Sequence, residues 1–146
     1  MEAVIFVGIQ ASGKSTYYLQ HFYHSHIRLN MDMLRTRHRE AILLRACLDA
    51  KQPFVLDNTN PTVDDRAVYI EAAKGARFRV TGYFFQTTVA DALARNAIRV
   101  GKANIPDKAI FATQQRLERP TLNEGFDALY TITLEASGEF KTDELR

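Results

Sequence analysis

Lys14 and Ser15 stand near the end of Gly8-Ile9-Gln10-Ala11-Ser12-Gly13-Lys14-Ser15-Thr16, a stretch that meets the pattern G-x-x-x-x-G-K-[ST] at every fixed position. Each fixed residue has a physical task. Gly8 and Gly13 allow backbone turns that a side chain would obstruct, so successive amide N–H groups can point at phosphate oxygens. Lys14 is a point charge able to reach a β- or γ-phosphate, and the Ser15 hydroxyl is a hard oxygen suited to Mg2+. A helix starting near Gly13 adds its orphan donors and positive end to the same anion. The whole stretch, with Gly8, Gln10, Ala11, Ser12, Gly13, Lys14, Ser15 and Thr16 as nucleotide contacts, is expected to bind ATP with Mg2+.

Other charged residues fall where such a loop needs company. Asp57 closes an apolar run, the place for a carboxylate that handles Mg2+ directly or through water, so Ser15 and Asp57 are the expected metal ligands. Asp32 and Arg35 lie three apart in a helical turn. The carboxylate there suits accepting a proton from a substrate hydroxyl, and the planar fork of the arginine suits a phosphate. Arg95 and Arg99 share a helix face, with Lys102 in the Gly-containing break that follows. Cations on a segment able to close over a nucleotide would screen the charge that develops in phosphoryl transfer. Arg66 is expected to clamp phosphate or pair with Asp32 or Asp57, and Arg116 and Arg119 to approach the adenine or the hinge of the lid. His21, His24 and His26 lack the carboxylate or thiolate co-ligands of a metal site, and Tyr17, Tyr18, Phe22 and Tyr23 read as packing for the first helix.

These groups must be positioned by an alternation of strands and helices. Apolar runs at 3–7, 27–30, 54–57, 78–84 and 130–134 read as strands. Helices are expected from 15 to 22, over a turn at 31–34, and from 40 to 51 with Ile42, Leu43, Ala46, Cys47 and Ala50 as the apolar stripe. Three more are expected, over 63–74 behind a Thr62–Asp65 cap, from 88 toward 99, and from 106 to 117. Parallel strands need crossovers, so the alternation implies an α/β three-layer sandwich of the P-loop NTPase kind, with a mostly parallel five-stranded sheet covered on both faces. Residues 1–134 would form the domain, with a lid around 88–117, and residues 135–146 a polar C-terminal tail. In such a sheet ligands gather at the carboxyl ends of the strands, where Asp32 and Asp57 would meet the phosphate loop.

The 146 residues suffice for one core, and the formal net charge of +2 neither demands nor excludes a polyanionic partner. A single cysteine, Cys47, has no intrachain partner and suits a reducing compartment. Neither a signal peptide nor an apolar run of membrane-spanning length is present, so a cytoplasmic protein is expected, its oligomeric state left open.

Taken together, GIQASGKST at 8–16, NMDMLR at 30–35, FVLDNTNPTVDDRAVYIEAAKGARFRV at 54–80, YFFQTT at 83–88, the arginine-bearing segment at 95–116 and RPTLNEGFDAL at 119–129 resemble the kinase domain of polynucleotide 5′-hydroxyl kinases. That family includes the kinase half of polynucleotide kinase-phosphatases. The DNTNPT and PTLNEGF runs are its more specific pieces. The resemblance implies adenylate-kinase-like topology and transfer of the ATP γ-phosphate to a 5′-hydroxyl end of DNA or RNA. It puts the general base on Asp32, the acceptor or transition-state arginine on Arg35, the loop lysine and serine on Lys14 and Ser15, and the strand-end carboxylate on Asp57. Lid duty falls on Arg95 or Arg99. A phosphatase-type D-x-D-G-T segment is missing, so 3′-end repair is not expected. Relatives of this kinase fold also phosphorylate small hydroxyl compounds, so a nucleoside, sugar or antibiotic acceptor stays open. So does a nucleotide-dependent binding or switch module.

Overall fold

The computed structural model describes residues 1–146. Strands β1 (Glu2–Val7), β2 (Ile27–Leu29), β3 (Phe54–Leu56), β4 (Arg79–Gln86), β5 (Ala128–Leu134) and β6 (Phe140–Leu145) form one sheet in the order β2-β3-β1-β4-β5-β6. The first five are parallel and β6 runs antiparallel to β5. The helices are α1 (Lys14–His21), α2 (Met31–Leu34), α3 (Arg37–Ala50), α4 (Val63–Gly75), α5 (Val89–Ala97) and α6 (Asp107–Arg116), with short 3-10 turns at Gly101–Ala103 between α5 and α6 and at Leu122–Glu124 before β5.

The central strand shows why its sequence is unbroken and apolar. Ala3, Ile5 and Val7 pack with Cys47 and Leu48 of α3 and Tyr69, Ile70 and Ala73 of α4. Val4 and Phe6 point the other way, into the cluster of Tyr17, Tyr18 and Phe22 at α1. A strand covered on both faces has no polar side to show. Burying each large side chain contributes about 1.5–3 kcal/mol, which secures the strand that leads into Gly8. A third, small cluster joins Ile9 and Ala11 of the phosphate loop to Ala92 of α5 and Ile110 of α6.

Three expectations need correction. The sheet has six strands, and residues 140–145 are not a loose tail. β6 pairs with β5 from Leu129↔Leu145 to Leu134↔Phe140. The Phe140 ring meets Tyr17 edge-on at 5.2 Å, and Tyr17 shares a 3.5 Å hydroxyl contact with Thr142. A hairpin edge strand needs few apolar residues, and Lys141, Asp143 and Glu144 guard its free edge, so its composition hides it. Second, α3 begins at Arg37, capped by Thr36, and buries Glu40, Cys47 and Leu48, with Leu44 packed beside them. Ile42 and Leu43 are 55% and 39% exposed. The face is phased by a buried carboxylate that an apolar pattern cannot reveal. Third, α4 carries the expected Thr62–Asp65 capping box, but Arg66, expected at a phosphate or at Asp32 or Asp57, lies on its buried face with Tyr69, Ile70 and Ala73. Cys47 is a free core thiol, pushed up from its ordinary pKa by burial. No helix is long and apolar enough to cross a membrane.

Candidate active site

The loop from Gly8 to Thr16 connects β1 to α1, and its shape is imposed by neighbours. Gly13 sits at φ +96°, where a Cβ would also lie 2.9 Å from the Phe140 ring. Both conditions exclude a side chain, and the second means that β6 bears directly on the phosphate loop. Ala11 takes φ +60°, an uncommon state for a residue with a Cβ. It is held there by the small apolar cluster and by Arg95, whose guanidinium donates to the Ala11 carbonyl at 3.0 Å. From the other side Gly8 N–H donates to the Thr59 carbonyl at 3.0 Å. Gln10 donates to Thr113 at 2.9 Å, tying the loop to α6, while its buried Oε1 has no partner.

Lys14 folds back onto this loop. Its ammonium donates to the Gly8 and Ile9 carbonyls at 2.9 and 2.7 Å and to Ser12 Oγ at 3.3 Å. The residue as a whole is half-buried, but the ammonium is enclosed by these groups, and desolvation lowers its pKa to about 8. Asp57 and Asp32 favour its charge and Arg99 opposes it. Asp32 and Arg99 therefore both lie within electrostatic reach of the lysine, and both line a cleft of about 550 Å³ together with Lys14, Ser15 and Asp57.

Asparagines aim α2 at that cleft. Asn30 caps the helix, accepting from Met33 N–H at 3.1 Å, and donates to the Asp57 carbonyl at 2.6 Å. Asn58 Oδ1 accepts from Met31 N–H at 2.9 Å. The first turn of α2, with Asp32 in it, is thus tied to the exit of β3. Asn58 is in turn held by Glu40, which accepts from Asn58 Nδ2 at 3.2 Å, from the Tyr69 hydroxyl at 2.6 Å and from Arg37 at 3.1 Å. Desolvation first, then the Glu40 carboxylate, pushes the Tyr69 phenol well above its ordinary range.

The Ser15 hydroxyl donates to Asp57 Oδ2 at 3.1 Å, and Asp57 is almost wholly buried. A hydroxyl and a carboxylate at the mouth of a phosphate loop are the hard oxygens that Mg2+ takes beside phosphate and water. No group of three or more His, Cys, Asp or Glu side chains converges anywhere in the chain. The donor set therefore fits a metal that arrives with its nucleotide, and does not form an all-protein cage.

Not every expected residue joins the site. Arg66 is fully buried and spends all five donors on protein. Nε and Nη2 grip the Glu124 carboxylate at 2.8 and 3.1 Å, Nη2 also reaches the Glu118 carbonyl, and Nη1 reaches the Asn60 and Pro61 carbonyls. No donor is left for a phosphate, so its expected nucleotide role is corrected to a clamp between the DNTNPT and PTLNEGF runs. Arg35 ends α2 at φ +75°, which turns the chain out of helical register, so it does not line the cleft beside Asp32. Arg37 does line it. Arg116 is exposed, 3.6 Å from Asp65, and lines neither this cleft nor its neighbour. Arg95 and Arg99 separate as well. Arg95 braces the loop and walls a second cleft of about 360 Å³, where Arg119 lies over the Phe84 ring at 5.3 Å. Arg99 and Lys102, which follow α5, line the first cleft together with the phosphate loop.

Sequence reasoning missed Arg28, Arg37, Glu40 and Asn58. Arg28 carried a readable signal, a charge inside a three-residue strand of a covered sheet. Glu40 carried none.

The AAA domain family profile matches residues 4–120. A relative in Schizosaccharomyces pombe, a bifunctional polynucleotide phosphatase/kinase, is 30% identical over 129 residues, which are 86% of this chain and 32% of that protein. The chain thus spans about a third of that relative's length. Among solved structures, Chaetomium thermophilum Kti12 in complex with ADP-AlF3 is 16% identical, with a TM-score of 0.72 over 93% of this chain and 92% of that one. A sugar kinase from Janibacter sp. HTCC2649 is 17% identical, with a TM-score of 0.69 over 91% of this chain and 85% of that one. With the profile spanning most of a chain whose strands run in this order around an intact phosphate loop, the chain belongs to the AAA domain family and carries an α/β P-loop NTPase-like fold.

Proposed function

We propose that this chain transfers the γ-phosphoryl group of ATP to the hydroxyl of a small organic acceptor, such as a sugar or nucleoside. The observation that carries the transfer reading is the placement of Asp32. The turn that carries it is held by the Asn30 and Asn58 hydrogen bonds, it lines the same cleft as Lys14, and its electrostatic influence reaches that lysine. A carboxylate so placed orients an acceptor hydroxyl toward the terminal phosphorus and takes its proton as the new bond forms. Lys14 exchanges its loop carbonyls for phosphate oxygens. Arg99 and Lys102 screen the developing charge from the lid. When bound, Mg2+ supplies neutralisation of the phosphate charge, and Ser15 and Asp57 are the residues that would hold it. The second cleft, walled by Arg95, Arg119 and Leu134, suits the nucleoside end of ATP.

A cleft of about 550 Å³ is of the size that takes a small ligand beside the phosphates, and a sugar kinase shares the fold. A second reading has its own support. The Schizosaccharomyces pombe relative is named for polynucleotide chemistry, and Arg35, Arg37 and Arg39, all exposed, follow Asp32 closely in the chain. A 5′-hydroxyl DNA or RNA end is the acceptor on that reading.

Incubation with Mg2+ and γ-labelled ATP against sugars, nucleosides, small alcohols and 5′-hydroxyl DNA and RNA oligonucleotides decides between them. Label on a small acceptor is the expected result, and efficient labelling of oligonucleotides alone establishes the second reading. Phosphate release with no labelled acceptor, accompanied by ATP-dependent capture of a protein partner, would overturn both in favour of a switch module.

A further inference from the structure

Arg28 is the side chain for which the proposed reaction has no task. It sits in the middle of β2, whose neighbouring residue Leu29 is buried in the core. Its Nε donates to Asp57 Oδ2 at 2.7 Å and its Nη2 to Ser15 Oγ at 2.8 Å. The two groups that a metal would share are therefore both engaged by one guanidinium. The Asp57 side chain is 1% exposed, and a carboxylate so buried is costly without a partner. Arg28 provides that partner. Its own side chain remains 28% exposed, and the Tyr18 ring lies 5.9 Å from its guanidinium carbon. An aromatic face and open water beside it give the guanidinium a place to rest when the carboxylate is taken by something else.

The geometry points to Arg28 as a built-in stand-in for the metal, a positioning residue that holds Ser15 and Asp57 together in the free protein and must yield their oxygens when a divalent cation enters with its nucleotide. This rests on the reading that Ser15 and Asp57 hold the metal of a metal–nucleotide complex. The consequence is a coupling between the two ligands. A bare cation has to displace a partner held by two charge-assisted hydrogen bonds, using two protein oxygens alone. A cation carried by a polyphosphate brings its own oxygens, and Lys14 and the loop amides add to the exchange. Arg28 thus makes the free protein discriminate against metal without nucleotide.

The test is binding of Mn2+ as the probe, followed by paramagnetic resonance of the free ion, to the full chain and to Arg28→Met, Arg28→Lys and Asp57→Asn, with and without ADP. Arg28→Met is expected to bind Mn2+ alone about tenfold or more tightly than wild type, the weight of one charge-assisted hydrogen bond. The gain in Mn2+ affinity on adding ADP should shrink by the same factor. Arg28→Lys, a single point donor, should fall between. Thermal melts give a second readout. Metal-free Arg28→Met should melt below wild type, because Asp57 is left unpaired, and Mn2+ should raise its melting temperature by more than it raises that of wild type. Mn2+ affinity in Arg28→Met equal to or weaker than wild type, with Asp57→Asn still weakening Mn2+·ADP, would overturn the role of Arg28 alone. If Asp57→Asn leaves Mn2+·ADP unchanged, the metal-site reading beneath it falls too.

Discussion

Replacing Arg66 by methionine separates a ligand contact from a clamp. The side chain is fully buried and its five donors meet the two Glu124 oxygens and the carbonyls of Asn60, Pro61 and Glu118. Methionine keeps much of the volume and none of the donors. Glu124, whose side chain is 6% exposed, would then hold a buried charge without its partner. Removing one member of a buried ion pair costs about 3–5 kcal/mol. For a chain of this length each kcal/mol lowers the melting temperature by about 3 °C, so a fall of about 10–15 °C is expected. Because a buried pair often adds little over apolar packing, Arg66→Met with Glu124→Leu should recover a large part of that loss. Differential scanning calorimetry measures the shift, and ADP titration at low temperature, where the variant is folded, measures the site. A melt within about 2 °C of wild type, on that scale, or lost ADP affinity in the folded variant would refute the reasoning. It would return Arg66 to the nucleotide.

Lys14 gives a pH signature. Burial holds its ammonium at about 8 in the free protein, below the ordinary 10.5. Bound phosphate favours the charged form, so nucleotide binding takes up a proton above pH 8, and affinity falls as pH rises through that value. Stability of the free protein runs the other way. Between about 8 and 10.5 the unfolded chain binds the additional proton, so the contribution of Lys14 to stability increases with pH across that window. Calorimetric titration of ADP at about pH 9 in buffers of different ionisation enthalpy reads the uptake, and an absence of it contradicts the lysine's desolvation. Glu40→Ala should lower turnover by about 10–100-fold while leaving ATP affinity near wild type. The network of Glu40, Tyr69 and Asn58 holds α2 and its Asp32 rather than the phosphate loop. Steady-state kinetics showing a rise in KM for ATP with unchanged kcat would count against it.

How much of this was legible in advance follows from what each residue touches. The phosphate loop, the α4 capping box and the end of β3 at Asp57 depend on local spacing, and local spacing is written in the chain. That the strands run mostly parallel could be inferred because every parallel step demands a crossover, whereas their order is seen only in the folded sheet. β6 escaped because a charged hairpin strand satisfies its backbone on β5 and buries chiefly one ring, Phe140, against Gly13 and Tyr17. The α3 face escaped because Glu40, a polar residue, lies at its centre. The arginines were the hardest to sort. Arg66, Arg95, Arg99 and Arg116 look alike in sequence, yet one is a buried clamp, one a loop brace, one a cation lining the cleft and one a surface group. Only the positions of their acceptors, set 50 or more residues away for Arg66 with Glu118 and Glu124 and for Arg95 with Ala11, distinguish them.

Asp32→Asn in a single-turnover experiment, with the transfer rate to the best acceptor and the ATP affinity measured on the same folded protein, bears most directly on the proposed mechanism. An amide retains the shape and hydrogen-bond reach of the side chain but cannot take the acceptor's proton. The expected result is a transfer rate lower by about 10²–10⁴-fold with ATP affinity unchanged. A rate near wild type, or a loss of ATP affinity matching the loss of rate, would contradict an acceptor-side carboxylate at this position.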